Sequence, residues 1–457
     1  MMSGRKILLV LALVSGPVYT SRSPGGEGAF MLQVRQTLDR SASFYRSIAT
    51  GGGYAGIYSL DLARRYGEAL SDPARPMEIW VQPPGTPSVG QAFLRAYKLT
   101  GDKGYLTGAR SAGRALAWGQ CAEGGWAYKA DLSLMTPDWE QALRRSGRCT
   151  LDDCTTQGAL DFLMSLDEVL DEPWLTEAVE LGLAYMLKSQ FPNGAWPQCY
   201  PFRGRYADYY TFNDQVINDC IKVMLKAHQL YKRPEHLRSA EQGGDFIILS
   251  QLPEPQAGWA QQYSHDVKPA GARVYEPPAV CSQDTAWNIK TLVDLCVYTQ
   301  NPKYLAPIPK AIRWLERSRL GPNTWARLYE IGSNRPIYVD SSGRIHYRLE
   351  DIQSDRKASS YNWQGPFAVN VCIGYYEKVM RAGIRQYQEA ASAPPSAAGR
   401  RRKAQSLRPA VEQAVRSLDG GGRWLRNDMI HIADFVKNFN NLCEYLELSG
   451  TDAPQRP

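Results

Sequence analysis

Two adjacent aspartates, Asp152 and Asp153, open the segment LDDCTTQGALDFLM at residues 151–164. A second segment, YYTFNDQVIND at residues 209–219, carries Asn213 and Asp214, and Asp214 follows Asp153 by 61 residues. Carboxylates that converge from two such segments supply hard oxygens, which hold calcium or work as an acid/base pair. The plain alternative is a doubled helix N-cap, a common use of Asp before a helix. A third segment, ARVYEPPAVCSQDTA at 272–286, brings Arg273 and Glu276 beside two prolines. A fourth, WARLYEIGSNRPIYVDSSGRIHY at 325–347, brings Arg327, Arg335 and Arg344. Arginines in loops over a cleft fork onto carboxylates, so acidic ligands fit this set, although ordinary surface ion pairs also use arginine.

Those residues need a scaffold that repeats. The pattern Gly, Trp, then Tyr recurs as GGWAY, GAWPQCY and GWAQQY, with a looser WARLY and a weak first copy, GGGYAGIY. Trp126, Trp196, Trp259 and Trp325 are spaced by 70, 63 and 66 residues. A second marker runs in phase: Tyr105, Trp174, His236 and Tyr304 are spaced by 69, 62 and 68. Two markers with one period define a repeated unit of about 65 residues. Apolar residues at helical spacing make that unit a helical hairpin. The spacing predicts helix pairs at about 88–99 with 103–118, 156–170 with 175–187, 214–231 with 234–250, and 282–299 with 302–317. A last pair is predicted at about 367–390 and 430–449, and a short strand hairpin near 335–348.

Repeats this long, with Trp, Tyr, Gly and Pro loops at one point of each, favour an all-α α/α toroid over a solenoid, with the loops gathered at one mouth. Trp126, Trp196 and Trp259 are expected at that end, with Trp196 and Tyr200 facing it. The segment 389–409, rich in Ala, Ser, Pro and Arg, reads as a disordered insertion. The toroid domain is expected over 43–450.

Composition narrows the class. The 457 residues include 26 Tyr and 12 Trp against 11 Phe, a surplus that suits polar-ligand clefts, and five His, too few for a His-rich metal enzyme. No run of eighteen apolar residues is present, so no membrane span is expected. Arg5 and Lys6 precede an eight-residue apolar run, Ile7 to Val14, and small residues follow, so residues 1–22 read as an export signal and the location as secreted or periplasmic. The formal charge of +7 suits an acidic polymer rather than specifying one. Nucleic-acid and membrane partners are not expected, and a monomer is. Of nine Cys, 220, 296, 372 and 443 fall in apolar helical patterns, whereas 121, 149, 154, 199 and 281 lie near the Gly- and Trp-rich segments, where one or two disulfides are possible. No CxxC pair occurs, which argues against a zinc ribbon.

The segments LDDCTTQGALDFLM, GAWPQCYP, YTFNDQVI, YEPPAVCSQDTA and WARLYEIGSNRPIY resemble, in the same order, the pectic acid lyases of polysaccharide lyase family 10 over roughly residues 43–367. The resemblance implies an α/α toroid that cleaves polygalacturonate by calcium-assisted β-elimination. It implies calcium on Asp152, Asp153 and Asp214, and uronate groups held at the catalytic centre by Arg273 and Arg327. Trp196, Tyr200, Asn213, Glu276 and Arg335 would contact substrate. The family follows the Pro-Ile-aromatic of the fourth motif with Gly-Arg-Asp-Gly, whose arginine is the proposed base. Here Pro336-Ile337-Tyr338 leads into Val339-Asp340-Ser341, so Ser341 stands at the arginine's place and Arg344, three residues on, is the expected substitute. Two other readings stay open: an inverting glycoside hydrolase using Asp153 with Glu276, and a non-catalytic uronate binder.

Overall fold

The computed structural model describes residues 26–133, 149–353 and 361–450. The expected export signal at 1–22 lies outside the described residues. The helices are α1 (Gly26–Ser47), α2 (Thr86–Thr100), α3 (Lys103–Trp118), α4 (Thr155–Asp167), α5 (Pro173–Ser189), α6 (Val216–Tyr231) and α7 (Pro234–Leu249). They continue as α8 (Ser282–Thr299), α9 (Ile308–Arg317), α10 (Val369–Ala382), α11 (Ile384–Ser392), α12 (Ala397–Ser417) and α13 (Ile432–Ser449). Local chemistry sets their ends. Proline opens α5 and α7, where its missing N–H costs no hydrogen bond. The Asp102 side chain caps α3 by accepting from Gly104 N–H.

The predicted hairpins form. An inner series, α13, α2, α4, α6, α8 and α10, packs side by side, and α12, α3, α5, α7 and α9 flank it from outside. This is the α/α toroid. It closes through α13 on α2, and residues Ile57–Ser59 pair antiparallel with Met429–His431 across the same seam. Short strands knit the mouth loops. In the largest sheet Trp259 and Leu328 both register with Cys281, and Leu328 registers with Ile337.

The repeat tryptophans explain the period. Trp126, Trp196, Trp259, Trp325 and Trp424 are buried, and each indole N–H donates to a carbonyl in the last turn of the preceding outer helix: Leu116, Met186, Ile247, Leu315 and Ala414, at 2.7–2.9 Å. Those carbonyls have no partner within their own helix, so the indole caps it. Gly124, Gly194 and Gly422 stand two residues before a tryptophan with positive φ, and a Cβ on Gly194 would sit 2.0 Å from the Gln242 carbonyl. The tryptophans therefore share one end of the ring, as expected. Trp196, however, does not face the mouth: it has no exposed surface and belongs to the core between repeats.

Two boundaries differ from the sequence reading. Helix α1 precedes residue 43 and packs on α13, with Tyr45 stacked on Phe435 at 4.0 Å. The segment 389–409 is not a disordered insertion: most of it is α12, which buries Ala404, Val411 and Ala414. Its Ala, Arg, Gln and Lys are strong helix formers, and Lys403 and Arg408 pair with Glu444 and Glu27. The last hairpin is thus α12 with α13, and Trp424 is its repeat tryptophan.

Candidate active site

The mouth is built where α4 and α6 begin. Asp153 and Cys154 have φ of 50° and 57°, and Asp214 and Gln215 have 50° and 62°. Left-handed backbone in consecutive non-glycine residues is uncommon, and here it recurs at equivalent points of two repeats. Cys154 and Gln215 occupy the N-cap positions, and neither helix start carries a side-chain cap bond. The doubled N-cap alternative therefore fails.

The kinked starts instead bring Asp152, Asp153 and Asp214 together, one carboxylate oxygen from each lying within 4.8 Å of the others. Asp152 Oδ2 accepts from the Tyr128 hydroxyl at 2.6 Å, while buried Oδ1 has no partner among the described residues. Asn213 Nδ2 donates to Asp214 Oδ2 at 2.7 Å, and Gln261 Nε2 donates to Asn213 Oδ1 at 2.8 Å. Burial, then the charges of Asp152 and Asp214, pushes Asp153 up to about 7. Burial, then Asp152, pushes Asp214 up to about 6. Burial also raises Asp152. Three crowded carboxylates with an unpartnered buried oxygen fit a hard dication, whose charge would cancel their repulsion.

Two arginines flank the acids. Arg273 forks onto Glu276, Nε to Oε2 at 2.9 Å and Nη2 to Oε1 at 2.7 Å, and the Tyr361 hydroxyl also donates to Oε1. Burial opposes the charge on Glu276, yet these bonds outweigh it and hold the carboxyl below its ordinary range. Arg327 lies 4.4 Å over the Tyr361 ring and 5.2 Å from that of Phe367, and its Nε donates to the Asn362 carbonyl at 3.1 Å. Both guanidinium charges act to lower Asp214.

The other candidates lie elsewhere. Arg335 is exposed and stacks 3.4 Å from the Tyr347 ring on the strand hairpin. Arg344 is exposed at that hairpin's turn, its N–H bonded to Asp340 Oδ1, and is not drawn against Arg327. Ser341 is also exposed. Tyr200 packs its ring against Tyr185 and Phe202 with Lys188 above it, apart from the acids. Tyr128, Tyr361 and Asp284 had not been singled out. Asp284 is fully buried in the first turn of α8, where burial raises it to about 7 against Arg327. Tyr128 is the tyrosine of GGWAY and carried a readable signal; Tyr361 sits in no repeat and carried none.

The pectic acid lyase family matches residues 120–323 and 315–372. No curated protein matches the chain. Among solved structures, a mutant of the family 10 polysaccharide lyase from Cellvibrio cellulosa in complex with trigalacturonic acid is similar at 19% identity, with a TM-score of 0.50, covering 64% of this chain and 98% of that one. Another structure of the family 10 lyase from that organism is similar at 20% identity, with a TM-score of 0.50, covering 64% and 97%. Those two likenesses speak for the fold. The family match spans more than half of the sequence and includes both aspartate segments, Arg273 and Arg327, so this chain belongs to the pectic acid lyase family.

Proposed function

We propose that the protein is an exported, monomeric pectate lyase that cleaves polygalacturonate by calcium-assisted β-elimination. The observation that carries the reading is the trio Asp152, Asp153 and Asp214, with its unpartnered buried oxygen, flanked by Arg273 and Arg327. The trigalacturonic acid bound by the Cellvibrio lyase supports an acidic polymer as substrate.

The C5 proton of a galacturonate lies α to a carboxylate and is very weakly acidic. Calcium on the three aspartates would supply positive charge to the uronate carboxylate, stabilising the enolate-like state that forms as the proton leaves. Arg273, fixed as a cation by Glu276, holds a uronate carboxylate in place. Arg327 meets no carboxylate among the described residues, and its stacking on Tyr361 and Phe367 leaves its outer edge for substrate. Arg327 is therefore assigned the C5 proton in place of Arg344. The cationic surroundings of the loaded site favour its neutral form. Loss of that proton with cleavage of the C4–O bond leaves a C4=C5 double bond, and the departing oxygen takes a proton from water. Glu276, bonded to both Arg273 and Tyr361, is unavailable as the acid or base of a hydrolase.

Incubation with polygalacturonate, with and without calcium, tests the reading through the ultraviolet absorbance of the unsaturated product. Calcium-dependent product is expected. Reducing ends without the chromophore would replace the reading with hydrolysis. Calcium-dependent binding without product would replace it with a uronate binder, the outcome that Ser341 favours.

A further inference from the structure

Outside the acidic mouth, two thiols meet inside the fold. Cys121 lies in the turn after α3, and Cys149 lies on the segment that leads into Asp152. The two sulfurs and a carboxylate oxygen of Glu123 all lie within 4.8 Å of one another, and Cys149 Sγ is 3.8 Å from Glu123 Oε2. Cys121 is 7% exposed and Cys149 not at all. The main chain fixes the approach. Cys121 N–H donates to the Gly125 carbonyl at 2.9 Å, and Thr150 N–H donates to the Trp126 carbonyl at 2.8 Å. Gly125 makes room between them, since a Cβ there would sit 2.9 Å from Cys149 Cβ and from the Tyr185 ring.

We propose that Cys121 and Cys149 are joined by a disulfide in the mature protein. The pairing joins residues 28 apart in sequence, just ahead of Asp152, so the bond would anchor the strand that delivers the first two carboxylates. It forms by exchange with a small disulfide such as glutathione disulfide. One cysteine thiolate attacks it, giving a mixed disulfide and one glutathione thiolate. The second cysteine thiolate then attacks the mixed disulfide, forming the Cys121–Cys149 bond and releasing the second glutathione. The cysteines lose two protons and two electrons, and glutathione disulfide gains them. A structural zinc site is the competing use of two thiols and a carboxylate. Such sites are closed by four ligands, and no fourth joins these three among the described residues. Cys199 is the nearest rival partner, with its sulfur 3.5 Å from the Thr150 hydroxyl.

The test uses the full chain, purified without reductant and equilibrated with glutathione disulfide, then denatured and labelled with a maleimide. Two fewer than the nine cysteines should label, with mass spectrometry linking the peptides of Cys121 and Cys149. Reductant should lower the melting temperature by several degrees in the parent and leave a Cys121→Ala/Cys149→Ala variant unmoved. Nine labelled thiols, a link that uses Cys199, or stoichiometric zinc bound by the free thiols would each overturn the pairing. The mass measurement reads the parent chain, so it decides even where the variant fails to fold. None of these outcomes depends on lyase activity.

Discussion

Asp153 and Asp214 hold a backbone conformation that costs a non-glycine residue on the order of 1 kcal/mol. Asparagine tolerates it nearly as well, so Asp214→Asn isolates the charge from the turn. Without calcium above about pH 7, this variant is expected to be more stable than the parent by on the order of 1 kcal/mol, because one buried like charge is gone. The same variant should lose calcium affinity by tenfold or more, as read by calorimetry; equal affinity would break the shared-site idea. Arg327→Ala should abolish unsaturated product while Arg344→Ala leaves most of it, and the reverse ranking would restore Arg344 as the base. Repeat-equivalent spacing made the acids legible in the sequence, since 61 residues separate two turns of one kind. The arginines were less legible. Sequence order offered Arg344 for Ser341, but Asp340 ties the turn to itself through Ser342, Arg344 and His346, leaving Arg344 on the outside.

At the scale of the elements, one device recurs at the end of five outer helices. The tryptophan caps a carbonyl and fills the space between repeats, so its two contributions separate by substitution. Trp196→Phe, which keeps most of the ring and drops the N–H, should cost about 1 kcal/mol with the unpaired Met186 carbonyl included. Trp196→Ala should cost about 3–5 kcal/mol through the cavity. Denaturant midpoints check both, and a near-neutral alanine variant would place Trp196 outside the core. The period was legible because packing demands the same residue at the same point of each hairpin. The fifth copy was not, since α11 and α12 lengthen the interval from Trp325 to Trp424 to 99 residues. The basic stretch of α12 reads as loop from composition, and it becomes a helix because α13 and α1 cover its apolar side.

For the whole molecule, the ring and the acidic site are coupled through protons. Asp152, Asp153 and Asp214 come from the starts of two neighbouring inner helices, so their repulsion works directly against the α4–α6 contact that the ring needs. All three bind protons more tightly in the fold than a free aspartate does, Asp153 with a pKa of about 7 and Asp214 of about 6. The native state thus holds more protons than the unfolded chain between about pH 4 and 7, and stability from this source falls as pH rises through that window. It is fully present below the ordinary aspartate value and lost above about pH 7. Bound calcium reverses the balance by favouring the ionised forms, so its affinity should rise through the same interval. The melting temperature of the calcium-free protein is expected to decline from pH 5 to pH 8. Added calcium should recover the loss, with its largest effect at pH 8 and little at pH 5. Asp153→Asn/Asp214→Asn should flatten both dependences. A calcium-free melting temperature that rises between pH 5 and 8 by as much in the parent as in that variant would mean that the three carboxylates do not share a site.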